Sequence, residues 1–402
     1  MQTHKRNNQK NSLQFVGFFL FVLFYGTSGS PTPDHIGIIE IIVLLSLCLI
    51  IRVKGFSNLF VVFVEKKSST PILSNPINWL ALFFIWATVC STPLGLFYGH
   101  SVQFLIRDYI SIIFLCMPLF LAPYLGSDTF RNRLFVTIIA IGALFSVRVL
   151  TQDQADTGSS HALYLSISPE ILFAACITLA MALTTPLKKI YHIGLALIIA
   201  YLCAYTFVSG EMRAAIGACI LTIILINIWL FIIHPKHALK VMILQGIILL
   251  FTQQQWQPLL GALQQKQISY GLNLRGEELQ AVFNQLNGSL PSYLFGLGLG
   301  AGIESPSSAG LYVNYTHSLF SSLLLKTGVV GLGLLIGTLV TITIKLIKNI
   351  SLRDKKAVSL TLALTITLFI NMLLYGGYKS IGFGLCFALL ISLCFIKKQK
   401  DN

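Results

Sequence analysis

Two arginines and one histidine are of the residue types from which a reaction can be built. Arg213 follows the short polar turn Ser209-Gly210-Glu211-Met212 and opens an apolar run. Arg275 heads a short segment in which Leu279, Val282, Phe283 and Leu286 recur at helical spacing. A guanidinium at the head of a helix adds a rigid fork of donors to free backbone N–H groups and a positive dipole end, a combination that holds phosphate or diphosphate. His317, in Tyr315-Thr316-His317-Ser318-Leu319-Phe320, stands where a polar stretch passes into an apolar one, and an imidazole there can take or hold a proton near neutral pH. Plainer readings stand beside these. Arg213 can pair with Glu211 or anchor among lipid headgroups, and a lone histidine is more often structural than catalytic. His161 and Lys326 are further candidate substrate contacts. Arg107 and Asp108 are either charges satisfied inside a helix bundle or part of an anion pocket.

The elements that must position these residues are apolar helices. Of 402 residues, 55% are hydrophobic and only 10% charged, with a mean hydropathy of +0.78, too apolar for a soluble chain of this length. A hydrocarbon core about 30 Å thick needs roughly 20 apolar residues per helix. Runs of that kind recur near 13–27, 36–51, 78–97, 102–125, 134–150, 164–184, 190–208, 214–233, 241–253, 320–344, 358–375 and 381–396. The pattern predicts an all-α polytopic membrane protein with about twelve transmembrane helices. Nine fall in 1–252, a large external loop with short helices fills 253–316, and three more with a C-terminal tail occupy 317–402. The stretch 56–64 is too short to cross alone and reads as interfacial or as a helix extension.

The net charge of +14 would fit a nucleic-acid partner if the positive residues formed a patch, but they alternate with the spans instead. With the N-terminus inside, all but seven of the 28 Lys and Arg fall on internal connections. This is the positive-inside pattern, with both termini cytoplasmic. The exceptions are Arg107, Arg148, Arg213, Lys266, Arg275, Lys326 and Lys379. The first apolar run follows a basic N-terminus but lacks a convincing small-residue cleavage site, so it reads as a retained helix.

Other features narrow the chemistry. Asp34 stands alone in the first external loop, and Asp153 with Asp156 in 151–163 lacks partners for a metal site, so no metal or cofactor is expected. All eight cysteines fall within predicted spans, which argues against a disulfide framework. A Gln-rich run around Trp256 opens the large loop. Gly296, Gly298, Gly300 and Gly302 lack the strand and helix that a nucleotide loop requires, and read as backbone passing close to something. His317 and Lys326 are nine residues apart, about 13 to 14 Å along a helix, so the first turns after His317 are expected to precede the true span.

The short turn from Ser209 to Arg213, Arg275 at the head of a loop helix, Phe295-Gly296-Leu297-Gly298-Leu299-Gly300, and Thr316-His317-Ser318 leading into Gly328-Val329-Val330-Gly331-Leu332 together form a recognisable pattern. The chain resembles the O-antigen ligase and O-antigen polymerase superfamily of bacterial inner membranes, in architecture over most of its length and in motifs over about 195–340. The family usually has Ser-Arg in the short turn and His-Asn in the loop, whereas here Glu211 and Met212 precede Arg213, and Ser318 follows His317. The resemblance implies a GT-C-like fold and metal-independent, inverting glycosyl transfer at the periplasmic face. The donor would be a glycan on undecaprenyl diphosphate and the acceptor a lipid A-core sugar or a growing glycan. His317 would be the base, and Arg213 and Arg275 would stabilise the departing diphosphate. Ligase and polymerase use the same chemistry and stay open at this point. A transporter would carry charges near the midplane and repeated halves, and a scaffold would have no use for Arg213, Arg275 and His317 on one side.

Overall fold

The computed structural model describes residues 2–31, 37–64, 74–151, 165–186, 189–251, 274–286, 288–306, 310–351 and 354–395, with single positions between 254 and 268. Asp34, Asp153, Asp156, His161, Trp256 and Lys266 lie outside the described residues.

Sixteen helices and one small β-ribbon make up the described chain. Helices α1 (Gln2–Thr27) and α2 (Ile38–Val64) precede α3 (Pro76–Trp86), which runs through a π-turn at Ala87–Ser91 into α4 (Thr92–Phe97). Then come α5 (Val102–Leu115), α6 (Met117–Leu121), α7 (Asp128–Thr151), α8 (Pro169–Thr184), α9 (Ile190–Ser209), α10 (Arg213–Ile233) and α11 (Pro235–Phe251). The large loop holds α12 (Arg275–Leu286), α13 (Leu290–Phe295) and the antiparallel ribbon β1 (Ile303–Ser305) with β2 (Leu311–Val313). Helices α14 (Leu319–Asn349), α15 (Lys355–Ile370) and α16 (Ile381–Leu393) complete the chain.

The described parts of the twelve predicted apolar runs are mostly helical, but length and composition alone yield fewer crossings. Six helical stretches are long and apolar enough: Pro76–Phe97, Asp128–Thr151, Ile190–Ser209, Arg213–Ile233, Leu319–Asn349 and Lys355–Tyr375. A seventh results if α5 and α6, bent by 46°, form one span. The chain is a polytopic helical membrane protein. The shortfall has identifiable causes: α2 breaks at Arg52 (φ 60), and α8 and α16 are only 16 and 13 residues long.

Those two short helices are the centre of the bundle. Every residue of α16 is buried, as are most of α8, in keeping with helices apolar on all sides. Helix α8 packs against α7, α9, α10, α15 and α16. The outer helices turn Ile198, Tyr201, Ile224 and Ile228 outward.

The glycine run is a close backbone crossing, as its spacing implies. Gly296, Gly298 and Gly300 have φ of +77, +85 and +86°. The Leu297 and Gly298 amides donate to the Leu325 and Lys326 carbonyls at 2.8 and 3.1 Å, and the Leu299 amide to the Ser91 carbonyl at 2.9 Å. A β-carbon on Gly298 would lie 2.1 Å from the Gly95 nitrogen. Helix α14 itself breaks at Gly328 (φ 65, ψ −172), which sets its first turns apart from the rest. The Trp86 indole donates to the Thr327 carbonyl at 3.0 Å, satisfying a group that the break releases.

Candidate functional site

His317 sits at the entrance to α14, with both sides of its peptide held. Its amide donates to Glu278 Oε2 at 3.1 Å, and its carbonyl accepts from the Gly376 amide at 2.9 Å. The preceding carbonyl, of Thr316, accepts from the Tyr378 hydroxyl at 3.1 Å. The ring meets the same carboxylate, with Nδ1 3.1 Å from Glu278 Oε1. An ionised carboxylate only accepts, so this contact sets the neutral tautomer: the proton sits on Nδ1 and the lone pair on Nε2.

Glu278 belongs to α12, whose buried residues are Glu278, Val282 and Leu286. Leu279 and Phe283, assigned to the packed face by apolar spacing, are 42% and 39% exposed. The true face is rotated by one residue toward a carboxylate, because His317 is there to pair with it. Burial pushes the Glu278 carboxyl up. The hydrogen bonds from the His317 ring and amide, with the His317 and Arg275 charges, outweigh burial and hold it below the ordinary carboxylate value.

Arg275, one turn before Glu278, is half-buried, and burial lowers its pKa against the opposing pull of Tyr375 and Glu278. Arg213 acts on Arg275 by charge repulsion, so the two arginines share one neighbourhood. Tyr375, which closes a second π-turn (Asn371–Tyr375), accepts the Ala215 amide at 2.8 Å through its hydroxyl. It thereby caps the first turn of α10 beside Arg213, a helix start that has no side-chain cap. Both arginine-bearing helices are entered through a non-glycine residue at positive φ, Glu211 (49°) and Leu274 (54°). Such conformations cost energy and concentrate where geometry is imposed by function.

In front of His317 lies a cavity of about 240 Å³ bounded also by Arg107, Tyr315, Tyr375, Lys379 and the Ser168–Pro169 start of α8. Lys326, an expected substrate contact, does not line this cavity. Its ammonium is buried in an ion pair with Asp108 and also donates to the Asn314 carbonyl. Asp108 in turn accepts the Gly300 amide at 2.7 Å, so the pair ties α5 to the large loop and α14. Among the described residues, no three His, Cys, Asp or Glu side chains gather as a metal-binding group.

The structure links Arg275 to Arg213 and to Glu278, the partner of His317, while the cavity beside His317 is bordered by Tyr375 and Lys379 and by neither of these two arginines. The apolar spacing of α12 gave no sign of Glu278. The single cation between the last two apolar runs was the sign of Lys379. Fold and site define a polytopic helical membrane protein with a histidine–carboxylate pair at a cation-lined cavity. No protein-family model matches the chain, and no curated protein matches it.

Proposed function

We propose that this chain is an O-antigen ligase-like glycosyltransferase of a bacterial inner membrane. It moves a glycan from undecaprenyl diphosphate to a sugar hydroxyl of lipid A-core at the periplasmic face. It crosses the membrane twelve times, both termini are cytoplasmic, and 253–316 is the periplasmic loop. The observation that carries the reading is the His317–Glu278 pair, with His317 bordering the cavity, Arg275 close to Glu278 and Arg213 close to Arg275.

In the proposed step the acceptor hydroxyl donates its proton to His317 Nε2 as it attacks the anomeric carbon. The bond to the diphosphate oxygen breaks on the opposite face, which inverts the centre. Glu278 stabilises the imidazolium that forms, as a carboxylate behind a general base does. Charge grows on the departing diphosphate, and Arg213 and Arg275 oppose it more strongly in the transition state than before it.

The test is a gel of envelope glycolipids, with extraction of carrier-linked glycans, from cells lacking the chain and cells carrying wild type or His317→Ala. Long polymer stranded on the carrier with bare core on lipid A, restored by wild type and not by His317→Ala, is the expected result. Core carrying one repeat unit without a ladder would make the chain a polymerase instead. Restoration by His317→Ala would remove the catalytic reading altogether.

A further inference from the structure

The charges around His317 fall into two groups rather than one. Arg213 and Arg275 feel each other and Tyr375. Arg107 and Lys379 feel each other and border the cavity. Glu278 and Tyr375 stand between the groups: Glu278 acts on both Arg275 and Lys379, and Tyr375 both interacts with the arginines and lines the cavity. We infer that Arg107 and Lys379 form a second anion subsite, which holds a phosphate or carboxylate carried by the acceptor sugar. The inference rests on the transferase reading and adds the acceptor's chemical class.

Several observations converge on this assignment. Among the described residues, these two cations and no carboxylate line the cavity. The Asp108 carboxylate is already engaged by Lys326 and Gly300. Lys379 Nζ lies 4.0 Å from the centroid of the Tyr315 ring, and Tyr315 packs edge-on against His317, with centroids 6.0 Å apart. An anion on Lys379 is therefore held within one aromatic ring of the base. The cavity measures about 240 Å³ and is partly open. Burial and the neighbouring Lys326 push the Lys379 ammonium well below its ordinary range, with Asp108 and Glu278 pulling the other way and Arg107 adding to the depression.

The depressed amine gives a direct readout in the full-length protein, independent of turnover. Purified chain in zwitterionic nanodiscs is treated with an amine-acetylating reagent, and modification of Lys379 is followed by mass spectrometry with glucose 1-phosphate or glucose present. Glucose 1-phosphate at ten times its half-protecting concentration should slow modification by about tenfold, and glucose should not. Arg107→Gln should weaken that protection, and Arg213→Gln with Arg275→Gln should leave it intact. Equal protection by glucose, or none by either sugar, would overturn the subsite. Protection that requires Arg213 and Arg275 would assign the cavity to the donor diphosphate and overturn it too. Full protection by anionic phospholipid in the nanodisc, without sugar phosphate, would make it a lipid headgroup site and overturn the acceptor assignment. Normal glycolipids from His317→Ala cells would instead sink the transferase reading while leaving the labelling result standing.

Discussion

In the proposed transfer His317 and Glu278 divide the acid–base work, and two substitutions separate their roles. Replacing His317 by Ala removes the base, and transfer should fall by about 10²- to 10⁴-fold, as loss of a general base does, with the protein still folded. Replacing Glu278 by Gln keeps the hydrogen-bonding shape but removes the charge that fixes the tautomer and stabilises the imidazolium. Steady-state assays should show kcat lowered with KM little changed, and a change confined to KM would argue that Glu278 only shapes the pocket. The same carboxylate has a thermodynamic signature. Its folded-state pKa lies below the ordinary value. Its contribution to stability is therefore complete above the unfolded-state value of about 4.3 and is lost as pH falls through the lower folded value. Melting temperature should drop on acidification through that window more steeply for wild type than for Glu278→Gln. Parallel curves would mean that the pair contributes nothing to stability.

Elements bring these residues into register through backbone crossings that sequence periodicity only partly reveals. The glycine run was legible as a close approach because three of its members can hold positive φ cheaply. What it approaches, Gly95 on α4 and Lys326 on α14, was not, since contacts between residues far apart in the chain leave no local pattern. For the same reason Lys326 read as a ligand contact: its partner Asp108 is 218 residues away. Apolar spacing placed α12 correctly but put its face one residue off, because a period of 3.6 weighs hydrophobicity and is blind to a carboxylate wanted by a histidine. The Asp108–Lys326 tie makes a prediction at this scale. Both side chains are about 5% exposed, so Asp108→Asn strands a buried ammonium, with an expected cost of about 3–5 kcal/mol. Thermal unfolding in detergent should show a large loss for Asp108→Asn that Lys326→Met in the same chain largely reverses. No loss in the single variant would mean that the ammonium finds water.

The whole molecule restricts which helices cross, because the site collects residues that must lie on one side of the membrane. Arg213 and Arg275 share a neighbourhood, and between them lie α10, long enough to span, and α11. An even number of crossings is required, which supports α11 as a span. Arg107 and His317 border one cavity, as does the start of α8 at Ser168 and Pro169, while α9 ends at Ser209 beside Arg213. Helix α9 is long and apolar enough to span, and if it does, α8 must cross as well to bring the chain back, although its 16 residues are fewer than the roughly 20 a lone helix needs. A central helix whose ends meet polar protein rather than lipid headgroups is released from that length requirement. The measurement is labelling of intact cells with a membrane-impermeant maleimide. Cysteine at Lys189, between α8 and α9, should stay unlabelled, like cysteine at Ser127 and Ser351, while cysteine at Gly99 and Gly288 should react. Labelling of the Lys189 position from outside would mean that α8 does not cross. The arginines, the histidine and the cavity could then not face one compartment, and the proposed transfer at the external face would lose its geometry.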